Sequence, residues 1–200
     1  MFDRIALKLT KPLVDAAARR VHRAGYTADQ VTLAAFGLGM VSALLIALGY
    51  SIIAILPLLA GRVLDGLDGA LARLSQTTDR GAFLDISLDF LFYAAVPLAF
   101  ATVDPLAAAV LLAAFIGTGT SFLAYAVIAE KRGDKSTAYP TKSFYYLGGL
   151  TEGAETITCF VLMCLWPQHF AALAYIYATL CCVTTATRLV AGWKSFVTKN

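Results

Sequence analysis

Charge is what this sequence lacks most. Of its 200 residues only 14% are Asp, Glu, Lys or Arg, against about 25% in a typical soluble domain. With 59% hydrophobic residues and a mean hydropathy of +0.72, too little polar surface exists to face water on all sides. The bilayer is the natural solvent for such a chain. A formal net charge of +3 is too small to mark a nucleic-acid partner. Histidine is nearly absent, and His22 and His169 are expected on opposite sides of the membrane, away from any reactive cluster. Cys159, Cys164, Cys181 and Cys182 sit in apolar runs without a CxxC pair. They read as small core or lipid-facing residues rather than disulfides or metal ligands.

The stretches without charge also count the spans. Residues 30–61, 90–103, 105–129 and 156–187 hold no Asp, Glu, Lys or Arg. A helix of 32 residues, the length of the first and last runs, would reach about 48 Å, far beyond a hydrocarbon core of about 30 Å. Both must turn back, at Gly49-Tyr50-Ser51 and at Trp166-Pro167-Gln168-His169, and Asp104-Pro105 makes a further turn. The expectation is an all-α bundle of six transmembrane helices over about 28–49, 52–74, 81–103, 106–130, 144–166 and 170–194. The whole of 1–200 reads as one domain.

The sixteen Lys and Arg residues orient it. Arg4, Lys8, Lys11, Arg19, Arg20 and Arg23 precede the first span, and Arg62, Arg73 and Arg80 flank the loop between spans two and three. Lys131, Arg132, Lys135 and Lys142 occupy the next loop on that side, and Arg188, Lys194 and Lys199 end or follow span six. The positive-inside rule puts that side, with both termini, in the cytoplasm. The first 24 residues lack the continuous apolar segment of a signal peptide, and 1–26 is the expected interfacial segment. Phe2, Ile5, Leu9 and Leu13, with Arg4, Lys8 and Lys11 between them, fit a helix lying in the interface against anionic headgroups.

Against this background four aspartates stand out: Asp65 and Asp68 in span two, Asp85 and Asp89 in span three. Each would cost about 2.5–3.5 kcal/mol at the centre of a span. Asp65 and Asp68 are i, i+3 and share a face, as do Asp85 and Asp89 at i, i+4. The short connection Leu74–Arg80 makes the two spans antiparallel neighbours, so the four carboxylates converge. They repel unless cations lie between them. An all-oxygen donor set favours Mg²⁺, Mn²⁺ or Ca²⁺ over zinc, and two divalent ions balance four charges. Metal pairs held by carboxylates suit displacement at phosphorus. Gly66, Gly69, Ala72 and Gly81 clear bulk beside the acids, and the Arg73 fork suits a phosphate oxygen.

Asp65, Asp68, Gly69, Ala72 and Arg73, then Gly81, Asp85 and Asp89, resemble the signature of the CDP-alcohol phosphotransferases, D-x2-D-G-x2-A-R, a spacer, then G-x3-D-x3-D. The six spans and the interfacial helix extend the resemblance to the whole chain. It departs in its spacer, seven residues over Leu74–Arg80 where eight are usual, and in Asp29 with Thr32 where many members carry Asn followed by Thr. The resemblance implies transfer of a substituted phosphate from a CDP-linked donor, commonly CDP-diacylglycerol, to an alcohol, with release of CMP. It implies Asp65, Asp68, Asp85 and Asp89 as ligands to two Mg²⁺ or Mn²⁺ ions, Asp89 as general base, and Gly69, Ala72, Arg73 and Gly81 lining the cytidine and diphosphate site. The expected setting is the inner membrane, as a homodimer, with the site on the cytoplasmic side.

The acceptor is less legible. The basic residues Lys131, Arg132, Lys135 and Lys142 favour a phosphorylated alcohol such as glycerol 3-phosphate. Glu152 and Glu155, i, i+3 in span five, pull towards a polyol or an amine, or else form a bridge to Arg188 or Lys142. Tyr139, Phe144, Tyr145 and Tyr146 read as an interfacial aromatic belt, and Ala113, Gly117 and Ser121 as a helix-packing seam. An ion or proton transporter is the alternative, but its acids should line a path through the membrane rather than gather at one end. An aspartyl intramembrane protease would need only two Asp.

Overall fold

A computed structural model describes residues 3–75, 77–133 and 150–197, with side chains from residue 12 onward. Within these residues the chain is all-helical. Its helices are α1 (Asp3–Arg23), α2 (Ala28–Ala47), α3 (Ser51–Leu74), α4 (Asp79–Ala99), α5 (Pro105–Lys131), α6 (Gly153–Leu165) and α7 (Phe170–Ser195). Short 3₁₀ turns over Phe100–Thr102 and Pro167–His169 extend α4 and lead into α7.

Local chemistry places the ends. Thr27 caps α2 reciprocally with Gln30: the Gln30 amide donates to Thr27 Oγ1 at 3.3 Å and the Thr27 amide to Gln30 Oε1 at 3.0 Å. At the other end Gly49 adopts a φ of +85°, a left-handed turn that a side chain disfavours. Asp104 accepts from the Ala107 amide at 2.9 Å while Pro105 occupies the first helical position of α5. The expected connection Leu74–Arg80 is shorter than its sequence suggests. Thr78 accepts from the Gly81 amide at 3.1 Å, so Asp79 and Arg80 already belong to the first turn of α4.

Four elements among the described residues are long and apolar enough to cross a bilayer: Ala28–Ala47, Asp79–Thr102, Pro105–Lys131 and Pro167–Ser195. The 24 residues of α3 are long enough too, but carry Arg62, Asp65, Asp68 and Arg73. The described helix α6 has 13 residues, about 20 Å at the helical rise. The first part of the expected fifth span, 144–149, lies outside the described residues, as do Lys135, Lys142, Lys199 and the belt of Tyr139, Phe144, Tyr145 and Tyr146. The side chains of Phe2, Arg4, Ile5, Lys8, Leu9 and Lys11 are likewise not described.

Close packing of α2, α3 and α4 fixes the frame of the site. A Cβ on Gly61 would meet the Ala35 carbonyl oxygen at 2.9 Å, and one on Gly39 would meet the Phe92 ring at 2.6 Å. The absence of side chains is what lets these backbones approach. Ser42 donates to the Ala54 carbonyl at 2.9 Å across the same contact. Beyond it, Phe92, Tyr93, Phe115, Phe160 and Tyr177 form a chain of tilted and edge-on ring contacts. Cys159, Cys164 and Cys181 fill this core and Cys182 is exposed.

Two expectations sharpen here. Gly117 faces Thr185 of α7, whose Oγ1 would lie 3.2 Å from a Cβ, so this part of the small-residue seam packs within one chain. Helix α1 lies against α3 through Val14, Ala17, Ala18 and Val21, which meet Val31, Leu67, Ala70 and Leu71. Leu13, a member of the expected interfacial stripe, is exposed. The face docked on the protein is therefore a different one from the face that carries Leu13.

Candidate active site

The site lies between the second half of α3 and the first half of α4, both of which pack on α2, and it is joined by their side chains. One oxygen from each of Asp65, Asp68 and Asp85 lies within 4.8 Å of the others. Oxygens that share one small hard cation are separated by up to roughly 4–5 Å, given metal–oxygen distances of about 2.0–2.6 Å. The donor set is all carboxylate, which suits Mg²⁺ or Mn²⁺ and excludes nothing but soft-ligand preference. These three residues therefore fit a divalent ion.

Their surroundings differ. Asp68 is buried, and the Thr32 hydroxyl of α2 lies 2.6 Å from its Oδ2. The same hydroxyl is 3.0 Å from the Ala28 carbonyl; with one proton to give, its shorter contact is the one to the carboxylate. Asp85 is exposed and Asp65 half-buried. Around them the surface is open. A Cβ on Gly66 would meet nothing within 4 Å, and one on Gly69 only the exposed Arg73 guanidinium, at 3.7 Å. Ala72 and Gly81 are half-buried. Gly81 is confined: a Cβ there would lie 3.1 Å from Asp29 Oδ1 and 3.2 Å from Thr78 Oγ1.

Asp89 stands apart from the three-oxygen cluster. Its Oδ1 accepts from Arg62 at 2.6 Å, and the same Arg62 nitrogen is 3.4 Å from Asp65 Oδ2. The Arg62 guanidinium also lies over the Phe92 ring, 4.1 Å from its centroid. This corrects the expectation that Arg62 flanks a loop. It sits at the midpoint of α3, and its side chain is 12% exposed. The sequence signal that could have revealed it is its position three residues before Asp65, on the same helical face. Asp29 is engaged by Arg80 at 2.6 Å, a bridge whose arginine side chain is 84% exposed and which contributes little to stability.

The other singular residues lie elsewhere. Glu152 is the buried N-cap residue of α6 and Glu155 belongs to its first turn, so within the described helix both sit at its start. Nearby, Thr151 donates to Thr184 at 3.1 Å, Thr156 and Tyr177 share a hydrogen bond of 2.7 Å, and buried Arg188 donates to the Thr118 carbonyl at 3.0 Å.

Comparison with known proteins identifies the family and the fold. The model of the CDP-alcohol phosphatidyltransferase family matches residues 26–192. Inner membrane protein YnjF of Escherichia coli K12 is 50% identical over 197 residues, covering 96% of both chains. Among solved structures, phosphatidylinositol phosphate synthase PgsA1 of Mycobacterium tuberculosis with CDP-DAG bound superposes with a TM-score of 0.73 at 21% identity. That match covers 94% of this chain and 99% of the other. The same synthase with manganese and citrate gives a TM-score of 0.69 at 21% identity, over 94% and 93% of the two chains. At such identity the likeness is one of fold. With the matched family model spanning most of its length, this chain belongs to the CDP-alcohol phosphatidyltransferase family.

Proposed function

We propose that the chain transfers a phosphatidyl group from CDP-diacylglycerol, or a closely similar CDP-linked lipid, to an alcohol and releases CMP. The observation that carries this reading is the meeting of Asp65, Asp68 and Asp85 on an open, glycine-lined face of two helices, in a chain of this family. Asp65, Asp68, Asp85 and Asp89 are the residues that would hold two Mg²⁺ or Mn²⁺ ions. Bound there, the ions would supply charge neutralisation of the diphosphate and stabilise the departing CMP. Gly69, Ala72, Arg73 and Gly81 line the place of the donor's cytidine and diphosphate. Arg73, exposed beside Gly69, offers the planar fork that a phosphate oxygen accepts.

Asp89 takes the proton of the acceptor hydroxyl. The oxygen so activated attacks the phosphorus that bears the diacylglycerol group. The bond from that phosphorus to the bridging oxygen breaks, and the bridging oxygen leaves with CMP. A direct displacement is favoured because the cysteines belong to α6 and α7, while His22 and His169 lie at the end of α1 and before α7.

The setting in this reading is the inner membrane, supported by the apolar helices and by the name of the Escherichia coli relative. Six spans, cytoplasmic termini and a homodimeric assembly complete it. For the acceptor, Lys131 and Arg132 at the end of α5, with Lys135 and Lys142 following in sequence, support a phosphorylated alcohol of the glycerol 3-phosphate type. Ion removal is the accessible test. Stripping the purified protein with EDTA is expected to abolish CMP release from CDP-diacylglycerol, and added Mg²⁺ or Mn²⁺ to restore it. Turnover that survives chelation would contradict the metal assignment.

A further inference from the structure

From the interior of α3, Arg62 reaches into the carboxylate cluster. It touches Asp89 at 2.6 Å and Asp65 at 3.4 Å through a single nitrogen. Asp65 is therefore shared: it belongs to the three-oxygen cluster with Asp68 and Asp85, and to the arginine bridge with Asp89. A guanidinium and a divalent ion cannot both be close to the same oxygens without strong repulsion. The four carboxylates thus fall into two halves. One, at Asp65, Asp68 and Asp85, brings three carboxylate oxygens within 4.8 Å of one another; the other, at Asp65 and Asp89, holds the Arg62 guanidinium.

We propose that Arg62 is a tethered cation that occupies the Asp65–Asp89 half of the site until a second divalent ion replaces it. The inference rests on the reading of the four aspartates as metal ligands and goes beyond it, because it makes the two ion sites unequal. An ion enters the Asp65–Asp68–Asp85 half first. A second must compete with the guanidinium for Asp89 and for Asp65. The helix itself cannot give way, since Gly61 already packs on the Ala35 carbonyl. The side chain can, and the Phe92 face under the guanidinium gives it a surface to remain against. Arg62 is in this sense a positioning residue, which sets the order in which the two ions load.

The test is Mn²⁺ titration of the purified protein in detergent, with free Mn²⁺ followed by its electron paramagnetic resonance signal. Wild-type protein should show a tighter and a weaker class of site. Arg62→Met should tighten the weaker class by about tenfold or more, as expected when a close like charge is removed. Arg62→Lys, which keeps the charge but not the fork, should fall between. Damage to the fold loosens metal sites, so tightening cannot come from a structural role alone. Mn²⁺ binding unchanged or weakened in Arg62→Met, with wild type binding normally, would overturn the inference. If Arg62→Met does not stay folded, unchanged or weaker binding in Arg62→Lys overturns it equally. Failure of the wild-type protein to bind Mn²⁺ would remove the metal-site reading itself, and the inference with it.

Discussion

Asp85→Asn is expected to reduce CMP release by about three orders of magnitude. Asp85 contributes one of the three oxygens that lie within 4.8 Å of one another, and it is exposed. Asparagine preserves its shape and removes its charge. If Asp85 holds an ion, the loss is that of a ligand at the reacting diphosphate, where the metal's contribution is several kcal/mol and each factor of ten in rate corresponds to about 1.36 kcal/mol. Stability should scarcely change, because exposed substitutions commonly stay within about 0.5 kcal/mol. The readouts are CMP release, Mn²⁺ affinity and the thermal midpoint in detergent. The expected pattern is loss of the first two with the third intact. Near-normal turnover and Mn²⁺ affinity in the variant would remove Asp85 from the site.

Asp89→Asn should lower turnover by roughly 10²–10⁴-fold, the range of a lost general base, while Mn²⁺ still binds to the half built from Asp65, Asp68 and Asp85. The geometry makes this separation possible, because Asp89 stands outside the three-oxygen cluster and faces Arg62 at 2.6 Å. The proper comparison is CMP release at saturating Mn²⁺, alongside the tighter class of Mn²⁺ sites. Turnover close to wild type would end the base assignment. A fall in turnover that disappears at high Mn²⁺ would leave Asp89 as a ligand only.

These two experiments probe opposite halves of a site that was unequally visible in the sequence. The shared face of Asp65 and Asp68, and the approach of Asp85 across a short connection, follow from helical periodicity and chain length. The structure brings those three together. Turn chemistry was equally legible. Gly49, Asp104 with Pro105, and Trp166 with Pro167 each end or start a helix where expected, because backbone freedom and ring closure act locally.

Arg62 was not legible, for a physical reason. The expected span 52–74 already runs past it, but sorting basic residues by membrane side carries no information about which of them turns inward to a partner on another helix. Here α3 continues to Leu74, and tertiary contact with Asp89 and Phe92 accommodates the charge. The partner of Asp68 was equally hidden. Thr32 stands 36 residues before it, and only the packing of α2 on α3 joins them. The docked face of α1 escaped the sequence as well, because a strongly amphipathic helix can present one apolar stripe to lipid and another to protein.

The account stands most directly on one reaction. Purified protein is incubated with CDP-diacylglycerol, Mn²⁺ and separate acceptors, among them glycerol 3-phosphate, inositol phosphate, inositol, serine and glycerol. CMP and the lipid products are then followed together by mass spectrometry. The account predicts Mn²⁺-dependent CMP release matched by an equal amount of one new phospholipid, with a phosphorylated alcohol as the acceptor used. No CMP with any acceptor, together with no Mn²⁺-dependent binding of the CDP-linked donor, would contradict it.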